Sequence, residues 1–241
     1  MKIMKRIFAA ALCVTITAAA WIPAFASNTP SPWALDQVNA AIAQGLVPKN
    51  LQSNYTQATT RAEFCVLAVA LYEAIKGGIA GRITFSDTKD VNVEKAAFVG
   101  IVNGVGNNKF DPNSQLTREM AAVMLSNLAN ALGQPFPKQA ATFADRNAAA
   151  SWALEGIGSV QAAGIMSGTG NNMFSPKQPY TREQSITTIM RVFDKMKGGF
   201  DVQYLRSTNL NDDAVAGAAS VTVISSSVEN GSKYVSNTQC A

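Results

Sequence analysis

Residues 104–120 read GVGNNKFDPNSQLTREM and residues 168–184 read GTGNNMFSPKQPYTREQ, and nine of the seventeen positions agree without a gap. Internal repetition constrains a chain strongly, because each copy is one supersecondary unit that buries its apolar face only against its neighbours. The repeat also extends upstream. Openings at residues 31–47, 85–105 and 143–166 each carry helix-spaced apolar residues and a closing Gly, then a loop and a segment starting Thr-Arg. Three copies of helix, loop and helix are expected, over residues 27–80, 81–138 and 139–197.

The first helix of each copy shows its buried face in Ala34, Val38, Ala41 and Ile42, and again in Ala153, Ile157 and Val160. These runs stop at Gly residues suited to a helix C-cap. Trp33 stands twelve residues before Gly45 and Trp152 twelve before Gly164, and copy two is read with Asn92 in place of the Trp. The loops are rich in Asn, Gly and Pro, with Phe110 and Phe174 as apolar plugs. The second helices start at Thr60, Thr117 and Thr181. Thr60 with Glu63 and Thr181 with Gln184 make capping boxes, while Met120 breaks the box in copy two. Behind the caps run three apolar stripes: Phe64, Leu67, Ala68 and Leu71; Ala121, Met124, Leu125 and Leu128; Ile186, Ile189, Met190 and Phe193. Three such helices of similar length should pack on one another about one axis, giving an all-α fold.

Lys2, Lys5 and Arg6 precede an apolar run, and Ala24-Phe25-Ala26 follows it, so residues 1–26 read as an export signal. No other stretch is long and apolar enough for an anchor, and no membrane association is expected after cleavage. Without those three cations, seventeen basic residues face sixteen acidic ones, a net charge of +1. A broad basic footprint for nucleic acid is therefore missing, and an anion has to be met at a local site. Cys65 and Cys240 are too few for a disulfide scaffold, and Cys65 reads as a small buried apolar residue. The chain has no His, which removes Ser-His and Cys-His pairs and the usual zinc sites. The GNNKFDP loop lacks the alternating carboxylates of a calcium loop. No catalytic residue, metal or cofactor is expected. Residues 198–241 read as a C-terminal extension, laid on the repeats or partly disordered.

Arg61, Arg118 and Arg182 follow the capping Thr at the first helical position, where the helix dipole makes a cation mildly unfavourable. Helix stability alone does not ask for them. An arginine beside free helix N–H groups and a Thr hydroxyl suits an anion, since its fork matches a carboxylate. Equally, each Arg could pair with a carboxylate of a neighbouring copy as structural glue. Trp33 and Trp152 read as core packing, and Asp87 and Asp145 as turn residues or caps.

The repeated elements resemble the S-layer homology modules that attach secreted proteins to bacterial cell walls. The resemblance rests on Phe85-Ser86-Asp87 and Phe143-Ala144-Asp145, on Trp33-Ala34 and Trp152-Ala153, and on Phe110-Asp111-Pro112 and Phe174-Ser175-Pro176. Thr60-Arg61-Ala62-Glu63 completes it as the full tetrad. It covers roughly residues 31–197 in three repeats. It implies a pseudo-threefold spindle around a central three-helix bundle, with grooves between repeats. It further implies binding of a secondary cell-wall polysaccharide, often through a pyruvate ketal, with Arg61, Arg118 and Arg182 meeting the carboxylate beside Thr60, Thr117, Thr181 and Glu63. Asp87 and Asp145 would hold sugar hydroxyls, and Trp33 and Trp152 would face a sugar ring. The expected product is a secreted, non-catalytic wall-attachment module at the cell surface; the alternative is an envelope assembly protein that uses the fold without glycan. Copies two and three depart from the tetrad in placing Glu directly after Arg, copy one lacks the Phe-Ser-Asp opening, and the oligomeric state is open.

Overall fold

The computed structural model describes residues 28–197, so the expected export signal and C-terminal extension lie outside the described residues. Six α-helices are formed there: α1 (Leu35–Ala43), α2 (Arg61–Lys76), α3 (Val91–Phe98), α4 (Arg118–Ala131), α5 (Leu154–Ala162) and α6 (Arg182–Met196). Pairing between extended segments is limited to isolated bridges among the described residues, and the fold is all-α as expected.

Local chemistry sets the ends of these helices. Thr60, Thr117 and Thr181 are extended, and each hydroxyl accepts from the amide three residues on, that of Glu63, Met120 and Gln184. The Glu63 and Gln184 side chains reach back to complete boxes, which Met120 cannot do. At the far ends of α1, α3 and α5, Gly45, Gly100 and Gly164 sit in the left-handed region at φ 73°, 80° and 71°. The following amide bonds five residues back, from Leu46 to Ala41, Ile101 to Ala96 and Ile165 to Val160. This is the Schellman turn, and the buried Leu46, Ile101 and Ile165 supply its apolar contact.

That geometry corrects the register expected for copy two. Gly100 ends α3, so the position twelve residues back that holds Trp in the other copies holds Thr88, and Asn92 lies inside the first turn of a helix capped by Asp90. Gly104 instead matches Gly168. A Cβ on Gly104 would lie 2.6 Å from the carbonyl oxygen of Lys109 and 2.9 Å from the Phe85 ring, and one on Gly168 would lie 2.7 Å from that of Met173. Both glycines are required by close approach.

The apolar stripes of α2, α4 and α6 are buried, and the three helices touch one another in every pair. Around them the copies interlock in order: α1 packs on α6, α3 on α2 and α5 on α4. The first amides of each second helix, which have no partner within the helix, are satisfied by the next copy's loop. Arg61 and Ala62 donate to Ser114 and Pro112, Arg118 and Glu119 to Gln178 and Pro176, and Arg182 and Glu183 to Gln57 and Tyr55. Inside these contacts lies a three-membered cycle at 2.8 Å: the Thr59 amide donates to the Tyr180 carbonyl, Tyr180 to Leu116, and Leu116 to Thr59. The third copy returns to the first, so the array is closed.

Candidate ligand site between copies

The site is built on the loop plugs. Phe110 packs on Phe85 with ring centroids 5.4 Å apart, and Phe174 on Phe143 at 5.2 Å, and all four rings are buried. Asp87 and Asp145 hold these loops closed. The two oxygens of Asp87 accept from the amides of Phe110 and Asp111 at 2.8 Å, and those of Asp145 from Phe174 and Ser175 at 2.7 Å. The amide bond from Phe110, more than any other influence, holds the Asp87 carboxyl below its ordinary range. Neither aspartate caps the following α-helix, the role the sequence left open. Both carboxylates are committed to loop amides, and Asp111 and Ser175 adopt positive φ within the clasp.

The arginines lie behind the plugs, and here the solvent-facing guanidinium expected of an anion site is not found. Arg61, Arg118 and Arg182 retain 8%, 5% and 5% exposure. Arg61 donates from Nε to the Phe110 carbonyl and from Nη2 to that of Asn103, and its Cζ lies 4.4 Å from the Phe110 ring centroid. Arg118 repeats this with the carbonyls of Phe174 and Ser167, at 4.8 Å from the Phe174 ring. Burial draws both guanidinium pKa values down, and Asp111 and Asp87 beside Arg61 and Asp145 beside Arg118 oppose the shift. Both remain cations. Arg182 differs: Nη1 donates to the Ser53 carbonyl and Nη2 pairs with Glu63, while its Nε is buried without a partner.

The adjacent glutamates do not neutralise the arginines. Glu119 accepts from the Ala150 amide and Lys177, and Glu183 from the Ser31 amide and hydroxyl, so each fastens the opening of another copy. The carboxylate that does meet an arginine is Glu63, whose capping-box role alone was visible in the sequence.

Trp33 and Trp152 are not core residues, at 56% and 55% exposure. Trp33 stands over an open groove of about 370 Å³ between copies one and three. Arg118, Tyr180, Thr187 and Arg191 line it, together with the backbone turn at Met166 to Thr169. The groove thus joins two residues singled out from the sequence, Trp33 and Arg118. Tyr180 and Arg191 were missed, because one lies in a loop and the other on a helix face that reads as solvated. The Tyr180 hydroxyl bonds to the Gln184 carbonyl and Thr188, and burial pushes its pKa up to about 12. Among the described residues no group of three or more His, Cys, Asp or Glu could hold a metal ion.

A closed, all-helical repeat module with a cationic, aromatic-edged groove between its copies is the class of protein these features define. Residues 92–122 and 142–184 match the S-layer homology domain model, so copies two and three carry S-layer homology repeats. The first copy lies outside the matched residues and shares the architecture of the other two. A surface-layer 125 kDa protein of Lysinibacillus sphaericus is 25% identical over 212 residues, 80% of this chain and 17% of the relative. An amylopullulanase of Thermoanaerobacterium thermosulfurigenes is 28% identical over 172 residues, 68% of this chain and 9% of the relative. An exoglucanase XynX of Acetivibrio thermocellus is 27% identical over 172 residues, 68% of this chain and 16% of the relative. The chain therefore spans less than a fifth of these three relatives. S-layer homology domains are cell-wall-anchoring modules, which places the chain at the cell surface. No helix among the described residues is long and apolar enough to cross a membrane.

Proposed function

We propose that this chain is a non-catalytic module that holds its protein to the wall by binding an anionic secondary polysaccharide in the grooves between copies. The observation that carries the reading is the Trp33 groove, where an exposed indole faces guanidinium groups across a cavity the size of a small ligand site. The indole offers an apolar face to a sugar ring. Arg118 offers Nη1, which has no protein acceptor among the described residues. A pseudo-threefold axis through the cycle of Thr59, Leu116 and Tyr180 is the arrangement that the cyclic contacts favour. Thr60, Thr117 and Thr181 act in this reading as helix caps that set the arginines in place, and Asp87 and Asp145 as clasps on the loops.

One observation favours the alternative of an envelope assembly protein without glycan: each arginine already has protein acceptors, and both terminal nitrogens of Arg182 are engaged, by Ser53 and Glu63. Sedimentation of the chain with purified walls, before and after removal of their non-peptidoglycan polymer, separates the two. The polysaccharide reading expects cosedimentation that disappears on stripping. Binding that survives stripping overturns it.

A further inference from the structure

The three grooves are related by the repeat, yet their residues are not. Aligning the capping Thr residues places Tyr180, Gln184, Thr187 and Arg191 of the Trp33 groove opposite Leu116, Met120, Val123 and Asn127, and then opposite Thr59, Glu63, Val66 and Ala70. The alignment is physical as well as numerical, since Arg191 Nη1 donates to the Ile165 carbonyl and Asn127 Nδ2 to that of Ile101. The three faces therefore differ in kind. The Trp33 groove carries two cations, Arg118 and Arg191, with hydroxyls between them. The second carries Trp152 and Arg61 beside a Leu, Met and Val wall. In the third, Thr88 replaces the Trp, and Arg182 is paired with Glu63.

We infer that only the Trp33 groove is a high-affinity site, that it takes one anionic glycan segment per chain, and that Arg191 is the residue that sets it apart. This deepens the attachment reading above and rests on it. Arg191 is suited to the task because one nitrogen is tied to Ile165 while Nε and Nη2 have no protein acceptor among the described residues, so its fork is oriented before a ligand arrives. Arg118 is oriented in the same way by the carbonyls of Ser167 and Phe174. Both arginines line this one groove with Tyr180, and Arg118 Cζ lies 5.9 Å from the Tyr180 ring centroid. Two oriented guanidiniums in one groove favour an anion there, which makes the groove selective for a charged sugar over a neutral one. The second groove lacks the second charge, and in the third Arg182 is paired with Glu63.

The test is titration of the full chain with non-peptidoglycan polymer released from purified walls, with a neutral glucan as control. The expected stoichiometry is one binding segment per chain, and the neutral glucan should not bind. Arg191→Asn, which installs the residue of copy two, and Trp33→Thr should each weaken binding by about tenfold, the scale of one charge-assisted bond or one stacked face. Trp33 is exposed, so its replacement leaves the fold intact. Trp152→Thr should change affinity less than about twofold by the same conversion. Equal losses from Trp33→Thr and Trp152→Thr, or two segments bound per chain, would overturn the single-site inference while leaving wall attachment standing. A wild-type chain that ignores the polymer overturns both.

Discussion

The guanidinium of Arg182 in the third copy is paired with the carboxylate of Glu63 in the first, 119 positions away along the chain. The same Glu63 bonds the Thr60 amide within its own helix cap. One carboxylate thus joins a local device to the closure of the whole molecule. The Arg182 side chain is 6% exposed and that of Glu63 26%, so the pair is largely withdrawn from water.

Removing one partner leaves the other charge stranded. Arg182→Ala should lower unfolding free energy by about 3–5 kcal/mol, the range for breaking a largely buried pair. Chemical denaturation checks this. A loss under 1 kcal/mol, ordinary for exposed pairs, would show that the pair is solvated.

Arg61→Ala should also destabilise, by about 2–4 kcal/mol, because two carbonyls of the adjoining loop lose a charged donor. From helix position alone this substitution looks harmless, since a first-turn cation gains nothing from the dipole. An unchanged melting temperature would return Arg61 to that reading.

Acid should loosen the loops before it unfolds the helices. The folded pKa of Asp87 is depressed by the Phe110 and Asp111 amides. Its contribution is therefore complete above the unfolded aspartate value near 3.9 and is lost as pH falls through the lower folded value. Asp87→Asn should flatten this part of the acid limb, measured as stability between about pH 4 and pH 2. An unaltered limb would mean that the clasp is not titrating there.

Gly158→Ala tests a contact within α5. Its Cβ would fall 1.8 Å from the Gln139 carbonyl oxygen, so the segment leading into copy three has to move. The expected cost is about 1–3 kcal/mol, against the small gain that alanine normally brings to a helix interior. Stabilisation in a thermal melt would show that the approach is not tight.

Much of the fold was legible because local rules and the repeat agreed. Caps at Thr60, Thr117 and Thr181, the stripes behind them and the plugs Phe110 and Phe174 all depend on neighbours within a few residues. The register of copy two was misplaced because Gly100 and Gly104 both follow an apolar run, and only the backbone shows which ends the helix. The pairing of Arg182 with a carboxylate of another copy was among the sequence readings, but the partners of Arg61 and Arg118 could not be read at all. They are main-chain carbonyls, which leave no mark in residue identity, and they are presented by loops where Asn107, Asn108 and Asp111 take positive φ. The exposure of Trp33 and Trp152 was hidden for a related reason: aromatic residues near a helix start look the same whether they face the core or a groove.

The cycle of amides through Thr59, Tyr180 and Leu116 fixes the copy number. In an open repeat array a unit can be gained or dropped at an end, with a modest change in stability and a longer or shorter protein as the result. Here each unit completes the one before it, and the last completes the first. A fourth unit would find no free edge, and a lost one would leave one loop and one helix start without partners.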